Sequence, residues 1–168
     1  MRGPAGAAVG SMRRVILSDI TGASSAGSAR IGAILAGIPG HPIEDLKVSD
    51  VILVNQGGGT KNDAQLLLPE KENQYPEPNM FGTTPAHGIF IRHVKGLEMN
   101  GVKIDHLHDD ARPAFVLEDV EGAEFGRIKA AADAGIATFW LRRVKDFSVF
   151  RSRPVADTEL GSVQEKEI

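Results

Sequence analysis

Three stretches of the chain share one spacing of apolar and polar residues. Gly88–Asp105 reads GIFIRHVKGLEMNGVKID, Ala114–Ala131 reads AFVLEDVEGAEFGRIKAA, and Thr138–Val155 reads TFWLRRVKDFSVFRSRPV. Laid over one another, Ile89, Phe115 and Phe139 coincide, as do Ile91, Leu117 and Leu141. Val94, Val120 and Val144 then align, followed by Leu97, Ala123 and Phe147, and by Met99, Phe125 and Val149. Pro42–Val54 fits the template through Ile43, Leu46, Val48, Val51 and Leu53, and Ser11–Thr21 fits it more weakly. Within a unit, apolar and polar residues alternate over short runs, which is the period of a strand and not of a helix. Bends fall at Gly, Asn or Asp. One such unit cannot bury its own inner face, so units must stack to close a core. The pattern predicts an all-β fold, a parallel β-helix of about five coils with one coil per repeat.

The charges test that register. On stacked strands, equivalent positions lie about 4.8 Å apart. Glu44, Lys95, Glu121 and Lys145 then make one column, Arg92, Glu118 and Arg142 a second, and His93, Asp119 and Arg143 a third. Opposite charges on adjacent strands are favourable by roughly 0.2–1 kcal/mol per pair. The repeat is interrupted by a long loop insertion, residues 55–87. In it, Thr60 as cap and Pro69 as stop bound a short predicted helix over Lys61–Leu68. The tail after Pro154 is charged and is expected to fray or pack loosely on the last unit.

Composition narrows the function. The 168 residues are read as a single domain spanning 1–168. A net charge of −3 gives no strong pull toward nucleic acid or an anionic membrane. With no cysteine, disulfides, thiolate catalysis and cysteine zinc sites are excluded. No apolar run approaches the roughly 20 residues that span a bilayer. The opening MRGPAGAAVGSMRR lacks the apolar region of a signal peptide, so no export signal is expected and the compartment stays open.

The strings GIPGHPIEDLKVSDVILVNQGGGTKNDA, PEKENQYPEPNMFGTTPAHGIFIRHVKGLEMNGVKI and DDARPAFVLEDVEGAEF resemble the C-terminal third of bacterial glycoside hydrolase family 28 proteins. That family holds the polygalacturonases and rhamnogalacturonan hydrolases. The resemblance implies a right-handed parallel β-helix of the pectin lyase type, an extracellular or periplasmic setting, and an anionic polysaccharide such as pectin as partner. It also implies hydrolysis with inversion by aspartates on one face. The family's Asn-x-Asp, Gly-Asp-Asp and Gly-His-Gly motifs do not occur in order in this chain, so no residue is assigned as catalytic. The chain is expected to be a C-terminal part of a longer fold and inactive alone.

An inverting glycosidase needs two carboxyl groups roughly 6.5–9.5 Å apart, one acid and one base. Asp109 and Asp110 are adjacent but follow His-Leu-His and precede Ala-Arg-Pro, and are read as a solvated turn. Lys103, Lys129 and Arg153 share a column, and Arg127 sits over Arg151, giving a basic stripe that suits carboxylates. Glu98 and Glu124 are expected to neutralise it in part. Substrate-binding candidates are therefore Lys103, Arg127 and Lys129, with Arg2 at the start of the matched region and Tyr75 in the insertion as a stacking ring. For Tyr75, Met80 and Phe81 alike the expectation is a clamp that fastens the insertion by burial, with stacking on a sugar ring as the alternative. His106 and His108 point to one face, but no third ligand is placed, so no metal and no cofactor are expected. Three readings follow: the tail of a pectin-degrading enzyme, a non-catalytic carbohydrate-binding or scaffold module, or a fragment that self-associates through an uncapped first coil.

Overall fold

A computed structural model describes residues 8–168 apart from Ala29, Tyr75 and Pro78. The strands are β1 (Met12–Ala23), β2 (Ala33–Ala36), β3 (Ile43–Gly57), β4 (Ile89–His108), β5 (Phe115–Gly126), β6 (Lys129–Ala130), β7 (Phe139–Phe150) and β8 (Thr158–Glu167). They form one eight-stranded sheet in the order β1-β3-β4-β5-β7-β8, with β2 and β6 also paired to β4. All pairings are parallel except β7 with β8. The protein is mostly β.

The register is the one the apolar template requires. Ile89, Phe115 and Phe139 are partners across β4, β5 and β7, as are Met99, Phe125 and Val149. Ile43 pairs with Val94, and Met12 of the weak repeat pairs with Ile43. The charge columns hold too: Glu44, Lys95, Glu121 and Lys145 are successive partners.

Each long strand bends at left-handed residues, and the bends stack. Arg14, Asp45, Gly96, Gly122 and Asp146 all have positive φ and share one level of the register. Five positions on, Asp19, Asp50, Gly101, Arg127 and Arg151 do the same. His93, Asp119 and Arg143 make a third such row. Gly and Asp enter this region cheaply, whereas for Arg it costs about 1–2 kcal/mol. The inward residues between the bends offset that cost by burial. Phe115 stacks on Phe139 with centroids 4.8 Å apart, and Phe125 meets Phe139 edge-on at 4.9 Å.

The pairing of β3 runs on to Gly57, opposite His108, so the excursion begins at residue 58 and not at 55. The helix predicted to reach Leu68 stops at Ala64. Thr60 caps it as expected, accepting from Asp63 N while Asp63 accepts from Thr60 N. Its continuation is cut because the next carbonyls serve the sheet. Arg142 donates to Leu66 O (3.1 Å) and Ala64 O (3.4 Å), and Arg92 donates to Leu68 O (2.7 Å) and Pro69 O (3.2 Å). Arg92 is only 1% exposed and also meets Glu70 at 3.3 Å and the Phe81 ring at 5.4 Å. Phe81 packs beside Leu68, Ala86, Phe90 and Val116, which fastens the excursion by burial. The second charge column thus has the expected register but serves the excursion, with Glu118 bonded to Arg143.

Asp110 corrects the reading of a solvated turn. Asp109 is exposed, but Asp110 is 2% exposed and accepts from Gly59 N (3.0 Å), Arg112 N (2.9 Å), Arg112 Nε (2.9 Å) and Arg112 Nη2 (2.7 Å). Arg112 spends its remaining donor on Arg30 O and Thr84 O. A Cβ on Gly59 would lie 2.0 Å from Arg112 Nε, so this clamp requires glycine there. Burial pushes the Asp110 carboxyl up, but the bonds from Arg112 and Gly59 outweigh it and hold the carboxyl below its ordinary range.

The tail does not fray. β8 lies antiparallel on β7, setting Leu160 against Phe147 and Val163 against Val144, while Ile168 N and O bond Phe139 O and N. Read backwards, the tail keeps the apolar spacing of β7 at Leu160, Val163 and Ile168, with Thr158 and Lys166 opposite Val149 and Leu141.

Asp110→Ala should lower the unfolding free energy in urea by about 3 kcal/mol or more, since it leaves a buried guanidinium unpaired. Asp109→Ala should change it by less than about 0.5 kcal/mol. Acid should weaken the fold from two sources. Burial holds His87 at about 4 against an ordinary 6.5, so the unfolded chain binds its proton first as pH falls. The contribution of Asp110 is complete above 3.8 and is lost below that as pH falls through its lowered folded value. Urea midpoints should therefore fall between pH 6.5 and 4, and His87→Gln should flatten that interval.

Candidate functional site

The basic stripe forms at the second row of bends. In the bend row, acidic Asp19 and Asp50 give way through Gly101 to Arg127 and Arg151. Two positions on, Thr21, Ile52, Lys103, Lys129 and Arg153 are successive partners. Between the two rows lies Ile128, fully buried, whose side chain points into the core. Arg127 in the bend and Lys129 at the start of β6 are both exposed on either side of it. The backbone here is pinned by Arg153 N to Ile128 O (2.9 Å), Ala130 N to Arg153 O (3.0 Å) and Ile128 N to Ser152 Oγ (3.0 Å).

Lys103, Arg127, Lys129, Arg151 and Arg153 are all exposed. Two unit charges at strand spacing repel by about 1 kcal/mol in water, less after screening by salt. Little within the stripe relieves this. Lys103 has Asp105 at 3.6 Å, and Arg127 Nε donates to the neutral Asn100 Oδ1 at 2.8 Å. Glu98 does not neutralise it as expected: it bonds Lys47 at 2.7 Å and shares a row with Lys47 and Glu124 before the bend. The stripe is thus a row of solvated cations at a regular interval, suited to a ligand with repeated negative charge.

Of the residues singled out from sequence, Lys103, Arg127 and Lys129 come together, and Arg2 and Tyr75 lie outside the described residues. Arg151 and Arg153 extend the stripe, and their shared register with Arg127 and Lys129 is the signal that places them. Asn100 and Asp105 have no such signal, because their roles depend on side-chain reach across the bend.

Other clusters have different work. His93 Nδ1 faces Asp119 at 2.5 Å and its Nε2 faces Glu70 at 3.0 Å, tying the excursion to the sheet. His106 packs edge-on against buried His87, with centroids 4.9 Å apart, while His108 is exposed. Among the described residues, no three His, Asp or Glu side chains converge in a way that would hold a metal ion. A groove of about 440 Å³ lies between Ile34–Ile38 and the excursion, but Glu70, Glu72 and Glu77 outweigh Lys71 in its lining, the wrong sign for an anion. The Asp109–Asp110 pair is unsuited to acid–base work, since Asp110 is held ionised with both oxygens occupied.

Comparison with protein families, with curated proteins and with solved structures found no match.

Removing one charge from the row should relieve repulsion. Lys129→Gln is expected to raise the unfolding free energy by roughly 0.2–1 kcal/mol at low salt, with the gain shrinking as salt is added. Urea titrations at two ionic strengths would show it, and a destabilised variant would mean that Lys129 has a partner in the fold.

Proposed function

We propose that the stacked sheet is a right-handed parallel β-helix of the pectin lyase type, related to glycoside hydrolase family 28, and that this chain holds an anionic polysaccharide without cutting it. The observation that carries the reading is the row Lys103, Lys129 and Arg153, with Arg127 and Arg151 beside it. Cations repeated at strand spacing match a polymer that repeats a carboxylate on every sugar, and guanidinium groups add bidentate bonds to such carboxylates. A galacturonan-like chain laid across the strands is the ligand this favours. The net charge of −3 argues for a local, short-range contact and not for the broad positive field of a nucleic-acid binder. The Arg112 bonds that hold Asp110 ionised argue against its use as a general acid.

Affinity electrophoresis through gels containing polygalacturonate tests this. The chain should be retarded by polygalacturonate, less by its methyl ester, and progressively less as salt rises. The triple variant Lys103→Gln, Lys129→Gln, Arg153→Gln should lose at least about tenfold in affinity, because each charged contact contributes about 1 kcal/mol or more. Equal retardation by the esterified polymer, or stronger binding to single-stranded DNA, would sink the polysaccharide reading. Release of reducing ends from polygalacturonate by the chain would overturn the non-catalytic part.

A further inference from the structure

The sheet has two ends, and they are finished differently. At one end β8 covers β7 and carries Glu159, Glu165, Lys166 and Glu167, charges that discourage further pairing. At the other end β1 is the last strand in the order, with no described strand on its outer edge. Its inward positions are Met12, Val15, Leu17 and Ile20, the partners of buried Ile43, Leu46, Val48 and Val51. Met12 nevertheless stays 56% exposed and Ile20 39%. Ile16, facing outward from the middle of the strand, is 70% exposed.

We propose that β1 is a self-association edge, on which β1 of a second copy pairs antiparallel about a twofold axis at Ile16. The inward residues are spaced three, two and three apart, a spacing that β1 shares with β3 and β4 and that is palindromic, in β1 about Ile16. Antiparallel pairing centred there sets Met12 against the partner's Ile20 and Val15 against the partner's Leu17, each twice, so both cores continue into one. A shift of one residue would turn inward side chains outward. The same register places Arg13 opposite the partner's Asp19, again twice, and Ile16 on its own copy. Charge and apolar complementarity thus select one register. An antiparallel pair of identical strands is isologous and uses the one outer edge of β1 on each copy, whereas a parallel pair in register would set Arg13 beside Arg13. The β7–β8 pair shows that this core accepts an antiparallel strand, and that a partner need not share the bends of β7: Gly161 and Gln164, opposite Asp146 and Arg143, have no positive φ.

The chain has no cysteine, so a single Ile16→Cys variant carries one thiol. Directly opposed antiparallel residues lie about 4.5–5.5 Å apart at Cα, within disulfide range. Under mild oxidation Ile16→Cys should crosslink to itself at least about tenfold faster than Ile52→Cys or Leu107→Cys, whose native side chains are also exposed. In sedimentation of the full chain, Arg13→Asp and Asp19→Arg should each weaken the dimer about tenfold, and the double variant should restore it. Because the double variant must both fold and pair, its recovery separates lost pairing from lost folding. A chain that sediments as a monomer at high micromolar concentration would overturn the proposal. So would crosslinking at Ile52 or Leu107 as fast as at Ile16, or a folded double variant that stays monomeric.

Discussion

Everything in this molecule depends on bent strands stacking in register. A flat strand could slide by two residues at little cost, but the parallel strands here are fixed by rows of left-handed residues that sit over one another. Gly96 and Gly122 adopt that geometry freely, Asp45, Asp50, Asp119 and Asp146 tolerate it, and Arg14, Arg127, Arg143 and Arg151 are held in it by their neighbours. Between the bends the inward side chains change direction together. The core is therefore built as columns, such as Leu46, Leu97, Ala123 and Phe147, in which a small residue under a large one keeps the volume filled.

The same constraint sets where polar chemistry can go. Outward positions of neighbouring strands are forced together, so charges at one level form a row, of alternating sign at Arg92, Glu118 and Arg142 and of one sign at Lys103, Lys129 and Arg153. Where the row is roofed by the excursion, buried Arg92 and Arg142 gain backbone carbonyls and become fasteners. Where it is open to water, at Lys103, Lys129 and Arg153, the cations keep their hydration and remain available to a ligand. One register rule thus yields a structural clamp on one stretch of the strands and a candidate binding face on another, and the difference lies in what covers each.

The edges follow from the sheet as well. Parallel stacking never closes on itself, so each end presents unpaired backbone and half-covered apolar columns. The antiparallel return of β8 resolves one end. The palindromic spacing of β1 offers the other end a solution of the same kind from a second copy.

The strands, their register and the stripe were legible in the sequence because they rest on local alternation and on a repeat that compares each residue with its equivalents. The apolar template alone placed Phe115 on Phe139 and Lys129 on Lys103. β2 was not legible, since Gly37–Pro42 stand where the later repeats have the single residue His93 and so break the spacing. Nor was β8, which runs in reverse and keeps only part of the template, with Thr158 and Lys166 at two of its apolar positions. Only the tertiary structure decided that Asp110 is a buried clamp, that the helix stops at Ala64, and that Arg92 and Arg142 lie under the excursion. The reason is common to all three: their partners lie far off in sequence or are backbone groups, and a backbone carbonyl or amide carries no letter to read. Sequence sets what a residue prefers, and burial against a distant segment decides which preference is met.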